Sequence, residues 1–206
     1  MRIYLIRHGQ TSGNSEKRFQ GRIDTPLNKE GFLQAKALAT FMKDVQIDAI
    51  YSSTLLRAKM TAAVLAGAKN MSYLPHDGLE EVCFGEWEGL RYDEIERRWP
   101  DSLHDFFTRP GECLPPNGES FAQAKQRSDA ALQEIIKWHG SGDNIAVVSH
   151  GGIIRLNLCG ILGMPLNNLW RINIHNVSVT GINVYDGLMS TDMINDFHFV
   201  PRAENI

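Results

Sequence analysis

The sequence predicts a three-layer α/β/α fold, in which helices cover both faces of a mainly parallel central sheet. Three short apolar segments, at residues 2–6, 48–53 and 144–149, are each followed by a polar turn and then by a segment with helical periodicity. Strands that alternate with amphipathic helices favour right-handed crossovers and therefore a parallel sheet. A chain of 206 residues is most simply one domain, so we expect a single domain over 1–206.

The first unit begins with the β-branched and apolar segment "RIYLI" at 2–6, which is typical of a short buried strand. Asn28 is the expected N-cap of the helix that follows. Apolar residues recur at helical spacing on one face of this helix: Phe32, Ala35, Leu38, Ala39 and Met42.

Two further units repeat this order. The strand at 48–53 leads into the helical segment "TLLRAKMTAAVLAG", which we expect to close at Gly67. The strand "NIAVVS" at 144–149 runs into His150 and then into the helical segment "IIRLNLCGILG".

The remaining segments are less regular. Residues 99–120 hold four of the eight prolines, which predicts a lid-like insertion at about 90–120 before a helix that begins near Ser120. Residues 176–187 alternate in polarity and predict another strand or one arm of a hairpin. This strand could pair with a second copy in a homodimer or be covered by a helix.

Composition excludes several classes of function. The net charge of -3 and the pI of about 6.2 provide no basic stripe, so no nucleic-acid partner is expected. Three widely spaced cysteines favour free thiols in a reducing compartment over a disulfide framework or a thiolate zinc site. The apolar run at the N-terminus is too short for a signal peptide, and no stretch approaches a membrane span. We therefore expect a cytoplasmic protein without a membrane partner.

Basic side chains gather at the predicted strand ends. Arg7 and His8 follow the first strand, Arg57 lies in the opening turn of the helix after the second, and His150 follows the third. The carboxyl ends of parallel strands meet at one edge of a sheet, so these side chains should share a crevice. Guanidinium groups and helix N-termini both bind phosphate oxygens. The pattern therefore predicts a phosphate site.

Five ordered motifs support a more specific interpretation. They are "RHGQT", then Asn14 with the "QG" of Gln20 and Gly21, then "YSSTLLRAKMTA", "LEEVCFGEWEG" and "VVSHGG". In this order, over residues 2 to about 185, the sequence resembles the histidine phosphatase superfamily, in the branch that contains cofactor-dependent phosphoglycerate mutase. The resemblance implies a phosphoglycerate mutase-like fold and an intermediate in which a histidine carries phosphate.

The resemblance also implies a role for individual residues. His8 would be the nucleophile, with Arg7, Arg57 and His150 forming the phosphate pocket around it. Binding contacts would come from Asn14, Gln20, Gly21 and the backbone of Gly151.

The acid that protonates the leaving oxygen would be Glu81 rather than Glu80, because the family places its glutamate three residues before the position of Phe84. No metal or other cofactor is expected, since the arginines supply the positive charge.

Three functions remain open at this stage. The favoured one is a hydrolase that acts on the phosphomonoester of a small metabolite. In the family, a mutase carries a longer insertion with several basic residues, whereas the arginines here stand among acids at Arg91, Arg97, Arg98 and Arg109. A catalytically silent phosphate-binding module would lack the nucleophile or its arginine, and the chain has both.

Overall fold

The computed structural model describes residues 1–201, which form a mixed six-stranded sheet with the strand order β3-β2-β4-β1-β5-β6. Strands β1 to β4 run parallel, and β5 is antiparallel to both of its neighbours. The predicted mainly parallel sheet is thus confirmed. The strands are β1 Arg2–Arg7, β2 Ala49–Ser53, β3 Leu74–His76, β4 Asn144–Ser149, β5 Val179–Tyr185 and β6 Leu188–Asp196.

Helices cover both faces of this sheet, as predicted. They are α1 Ser12–Ser15, α2 Lys29–Phe41, α3 Leu56–Lys69, α4 Tyr92–Arg98, α5 Pro100–Thr108, α6 Phe121–Lys137 and α7 Gly151–Ile161. Side chains alternate along β1, so that Ile3 and Leu5 pack against α6 and α7 while Ile6 packs against α2 and α3.

A third apolar cluster lies beneath the segment that the sequence predicts as an insertion. Trp87 is fully buried there, and Phe106 of α5 packs against Trp170 and Phe121. The segment contains two helices that the sequence analysis did not predict. Pro100 stands at the first position of α5, where its missing N–H is not needed.

The observed helix boundaries test the cap residues that the sequence predicts. Asn28 caps α2 as predicted, because its side chain accepts a hydrogen bond from the N–H of Gly31 at 2.8 Å. The predicted end of α3 at Gly67 is wrong: the helix continues to Lys69 and ends at Asn70, which has a φ of 54°. Asparagine tolerates this left-handed conformation, so it serves as the cap in place of glycine.

The alternating segment at 176–187 forms β5, which pairs with β1 on one side and β6 on the other. The connection uses Asp186 and Gly187 with φ of 46° and 80°, the geometry that a two-residue hairpin turn prefers. The sequence left the second arm of this hairpin, β6, unassigned. Within residues 1–201, no helix has the length and apolar character to cross a bilayer.

Substitution by alanine is expected to have opposite effects on stability at Gly31 and at Gly67. A Cβ at Gly31 would overlap the backbone of Gln10 in the loop after β1, whereas a Cβ at Gly67 would meet no atom within 4 Å. We expect Gly31→Ala to lower the free energy of unfolding by about 1–3 kcal/mol. Gly67→Ala should raise it by about 0.5–1 kcal/mol, because alanine is the better helix former. Urea denaturation measures the free energy of unfolding of both variants. Equal changes would show that the loop after β1 is not in close contact with α2 at Gly31.

Candidate active site

One cavity of about 390 Å³ opens at the carboxyl ends of the parallel strands. Eight of the residues singled out from the sequence line it: Arg7, His8, Asn14, Gln20, Gly21, Arg57, Glu81 and Gly151. The ninth, His150, lies directly against the cavity wall, with its ring centroid 5.1 Å from that of His8. The structure thus brings all nine residues together.

Strand register places the two histidines side by side. Arg7 and Ser149 are partners at the ends of the adjacent strands β1 and β4, and the N–H of His8 donates to the Ser149 carbonyl at 3.0 Å. His8 and His150 are therefore the first residues beyond two neighbouring parallel strands. Two side chains that are distant in sequence reach the same level because the strands end together.

The imidazole of His8 is held with one nitrogen free. Its Nδ1 lies 2.7 Å from the Gly9 carbonyl oxygen, which can only accept, so Nδ1 carries the proton. Nε2 has no hydrogen-bond partner among residues 1–201 and keeps its lone pair. Burial, followed by the charges of Arg57 and Arg7, holds the pKa of His8 well below its usual range. The result is a neutral imidazole with a nucleophilic nitrogen.

His150 is hydrogen-bonded through Nε2, whereas His8 is hydrogen-bonded through Nδ1. Its Nε2 lies 2.8 Å from the hydroxyl of Ser53, and that oxygen already accepts the N–H of Leu55 at 3.2 Å. We therefore assign the hydroxyl proton of Ser53 to the bond with Nε2, which places the imidazole proton on Nδ1. Nδ1 is buried without a partner in the described chain. Burial, followed by the charge of Arg57, also keeps the pKa of His150 well below its usual range, so this histidine is a neutral donor.

Two arginines are fixed by carbonyl oxygens. Arg57 donates to the carbonyls of Ile23 and Gly21 at 2.8 and 2.7 Å, and Arg7 donates to that of Ile174 at 2.7 Å. The Nε of each is buried without a partner among residues 1–201. Burial, followed by the nearby charge of a third arginine, lowers the pKa of Arg7 to about 10. Both guanidinium groups stay charged near neutral pH and hold unused donors.

Of the two adjacent glutamates, Glu81 lines the cavity. Its carboxylate accepts hydrogen bonds from the N–H groups of Val82 at 2.9 Å and Gly152 at 3.1 Å, which fixes it at the start of α7. Glu80 turns away and contacts Thr54 and Arg22. Among the described residues that line the cavity, Glu81 is the one acid, and it shares the cavity with His8.

The backbone around this carboxyl group is clamped by one side chain of α6. Arg127 donates to the carbonyl oxygens of Gly78, Glu80 and Glu81 at 3.0, 2.7 and 2.8 Å. Its charge is balanced by Glu119, whose Oε1 lies 2.6 Å from Nη2. Nε of Arg127 also donates to Glu119 Oε2 at 3.0 Å, so all five N–H groups of the planar fork are used. The segment that carries Glu81 therefore has little freedom to move.

Neutral donors complete the cavity. Asn14 and Gln20 both use their side-chain oxygens to accept hydrogen bonds from Thr11, at 3.1 and 2.7 Å. Their amide nitrogens remain without partners among residues 1–201. Gly21 contributes backbone, and its carbonyl oxygen orients Arg57. Gly151 is the first residue of α7, where helix N–H groups have no intrahelical acceptor.

The sequence analysis missed several lining residues: Lys17, Arg18, Tyr92, Arg155 and Trp170. The arginines of the insertion, which the sequence analysis described as standing among acids, lie elsewhere. Within the described chain those side chains do not line the cavity: Arg97 lies 3.4 Å from Asp93, and Arg109 lies 2.7 Å from Asp105. The spacing of four residues between each pair was visible in the sequence and is the usual mark of an ion pair on a helix surface.

Comparison with known proteins agrees with this geometry. The model of the histidine phosphatase superfamily (branch 1) matches residues 3–196. The chain is 32% identical to phosphoserine phosphatase 1 of Hydrogenobacter thermophilus, over 89% of this chain and 87% of that protein. It is 27% identical to the adenosylcobalamin/alpha-ribazole phosphatase of Salmonella typhimurium, over 95% and 96%. The solved structure of Bacillus stearothermophilus YhfR superposes with a TM-score of 0.93 at 32% identity, covering 97% of this chain and 99% of that one.

The neutral, buried histidines predict a dependence of stability on pH. The folded-state pKa of His8 lies below its ordinary value of 6.5, so below pH 6.5 the unfolded chain binds a proton that the folded chain does not. His8 should therefore lower the free energy of unfolding by about 1.4 kcal/mol per pH unit below 6.5, until its folded pKa is reached. Above pH 6.5 this contribution disappears.

Chemical denaturation between pH 7.5 and about pH 5.5 measures this slope. His8→Gln should flatten it by about that amount. The matched control is His104→Gln, on the exposed face of α5. An equal change of slope in both variants would contradict a neutral buried His8.

Proposed function

The chain belongs to the histidine phosphatase superfamily, and from this premise we propose that it hydrolyses the phosphomonoester of a small metabolite through a phosphate carried on His8. It is a phosphatase of the histidine type, like the phosphoserine and alpha-ribazole phosphatases that it resembles. The roles of the individual residues are our assignment from the geometry of the cavity.

One observation supports this assignment most directly. Among residues 1–201, five buried side-chain polar atoms have no hydrogen-bond partner, and three of them are Arg7 Nε, Arg57 Nε and His150 Nδ1. Buried polar atoms in native proteins are nearly always paired, so such a cluster requires a missing partner. All three are donors, and two belong to cations. A phosphoryl group with several anionic oxygens satisfies them together.

In the first step, Nε2 of His8 attacks phosphorus, and the bond between phosphorus and the leaving oxygen breaks. Arg7, Arg57 and Nδ1 of His150 donate to the equatorial oxygens, where charge accumulates in the transition state. Glu81 gives its proton to the leaving oxygen, which departs as a neutral alcohol. The phosphate is then held on the imidazole.

In the second step, Glu81 accepts a proton from water while the water oxygen attacks phosphorus. The bond between phosphorus and Nε2 breaks, its electron pair returns to Nε2 of His8, and inorganic phosphate leaves. The proton accepted from water returns Glu81 to its starting form. The hydrogen bond from Nδ1 of His8 to the Gly9 carbonyl stays in place throughout and keeps Nε2 in line with phosphorus.

Removal of the nucleophile tests the proposal. His8→Ala should lower kcat for p-nitrophenyl phosphate by roughly 10³-fold or more, because no other group can take the phosphate. An alkaline quench of the wild-type protein during turnover should reveal phosphate added to the intact mass, and an acid quench should remove it. His104→Ala is the matched control and should retain both properties. Full turnover by His8→Ala would overturn the assignment.

The role of Glu81 predicts a dependence on the leaving group. Glu81→Gln should lower kcat/KM for an alkyl phosphate roughly 10²-fold more than for p-nitrophenyl phosphate, whose leaving oxygen needs little protonation. kcat/KM is the proper measure because it reports transfer to His8 and excludes the later hydrolysis. If Arg127 positions this carboxyl group, Arg127→Met should also lower kcat/KM more for the alkyl phosphate than for p-nitrophenyl phosphate, to a smaller extent. Arg127→Lys should recover part of the lost kcat/KM for the alkyl phosphate.

The control for the clamp is Arg97→Met, on the exposed surface of α4. A loss in Arg127→Met that is equal for both leaving groups would assign Arg127 to folding alone. Equal losses in Glu81→Gln would remove Glu81 as the acid.

A further inference from the structure

The nucleophile is held from outside the cavity by a loop that the reaction described above does not use. This loop, residues 172–178, precedes β5 and runs beside the end of β1. Its Ile174 carbonyl accepts the guanidinium group of Arg7 at 2.7 Å, and Nδ2 of Asn176 donates to the backbone carbonyl of His8 at 2.9 Å. The loop therefore contacts both residues of the strand end that carries the nucleophile.

The hydrogen bond from Asn176 fixes one side of the peptide group between His8 and Gly9. The other side of this group is the N–H of Gly9, which donates to the hydroxyl of Thr61 at 3.0 Å. Because both of its polar atoms are bonded, the peptide plane is held in one orientation. The next carbonyl along the chain, that of Gly9, bonds Nδ1 of His8. The direction of the nucleophilic Nε2 thus depends on the peptide plane that Asn176 holds.

The same amide group of Asn176 reaches a second residue of the cavity. Its Nδ2 lies 3.3 Å from Oδ1 of Asn14, which also accepts the backbone N–H of Thr11 at 3.1 Å. These contacts identify the atoms, because a backbone N–H only donates and the His8 carbonyl only accepts. The amide nitrogen of Asn14 is therefore the end that is left for a ligand.

The backbone of the loop is strained at the residue after Asn176. Val177 has a φ of 54° and is fully buried, although a β-branched residue rarely adopts this left-handed conformation. In this conformation its N–H donates to the carbonyl of Arg7 at 3.0 Å and lies 3.3 Å from that of His8. Such strain persists only where surrounding contacts hold the backbone, and it is common at functional sites. Here the contacts that hold it are those to the nucleophile segment.

We propose that Asn176 is a positioning residue, which aligns the imidazole of His8 and the amide of Asn14 on the same phosphoryl group. The inference rests on the proposed function, because this alignment matters only if His8 attacks phosphorus. Asn176 is not among the described residues that line the cavity, so it acts through the two that do. A shift of the nucleophile by about 1 Å can slow an in-line attack by about 10²-fold. Loss of Asn176 should therefore affect the transition state more than the binding of phosphate.

Two inhibitors separate alignment from simple binding. Inorganic phosphate is tetrahedral, whereas orthovanadate accepts a fifth bond from an attacking nitrogen and so resembles the transition state. In the wild-type protein we expect a lower inhibition constant for vanadate than for phosphate. Asn176→Leu keeps the approximate size of the side chain but has no donor. It should reduce the preference for vanadate at least about 10-fold and lower kcat for p-nitrophenyl phosphate by a similar factor, with little change in KM.

The matched control is Asn167→Leu. Asn167 is exposed, and its Oδ1 also hydrogen-bonds the backbone of another segment, accepting the N–H of Gly111 at 2.9 Å. This variant should keep the wild-type preference for vanadate and the wild-type kcat. If Asn176→Leu does not fold, as judged by urea denaturation, Asn176→Ala gives the same comparison.

A double-mutant cycle tests the link to Asn14. Asn14→Ala removes the amide that Asn176 helps to orient. In the variant that carries both Asn14→Ala and Asn176→Leu, the loss of kcat should be smaller than the product of the two single losses, because part of the effect of Asn176 is already gone.

Two results would overturn the proposal. One is an unchanged ratio of the two inhibition constants in the folded Asn176 variant, and the other is a pair of losses that multiply in the double variant. Failure of the proposed function would look different: the folded wild-type protein would hydrolyse no phosphomonoester and would bind vanadate no more tightly than phosphate.

Discussion

The structure depends on holding positive charge in a confined cavity without neutralising it. Arg7, Arg57 and Arg155 are fixed by backbone carbonyl oxygens rather than by carboxylates. A carbonyl dipole orients a guanidinium group but leaves its net charge in place, whereas an ion pair would cancel it. The cavity consequently keeps the attraction that an incoming phosphate needs. The penalty for removing these charges from water falls on the folded protein, and the three cores of the sheet and insertion must offset it.

The fold provides this arrangement through strand order. Strands β2, β4 and β1 are neighbours, so the residues after them meet at one edge although they are far apart in the sequence. The carboxyl group comes from elsewhere: Glu81 lies in the connection between β3 and α4, which the third apolar cluster and the Arg127 clamp hold against α7. The cations are thus placed by the sheet, and the acid is placed by packing on top of it.

This division explains how much the sequence alone could predict. Arg7 ends an apolar strand, and His8 and His150 follow such strands directly, so a local pattern is enough to place them. Arg155 was missed because its place in the cavity depends on which way the first turn of α7 faces, and in the sequence it looks like any charged residue of an amphipathic helix. The end of α3 was misplaced because Gly67 is a helix-interior glycine, and the boundary depends on a backbone conformation that asparagine also adopts. Strand β3 has only three residues and one of them is proline, so its pairing comes from the neighbouring strand rather than from its own pattern.

The same arginines also determine which form of histidine is present. A histidine nucleophile must be neutral, and a phosphate site must be positive. These two requirements can conflict, because the bound anion favours the protonated ring, which has no free lone pair. Here burial, followed by the charges of Arg57 and Arg7, lowers the pKa of His8 and keeps the ring neutral before any phosphate arrives. Nδ1 is tied to the Gly9 carbonyl, so the remaining lone pair lies on Nε2 alone. The phosphate dianion offsets the arginine charges when it binds. At that point Nε2 already faces phosphorus, and its lone pair is free to attack. The cations therefore act twice, first on the nucleophile and then on the phosphoryl group.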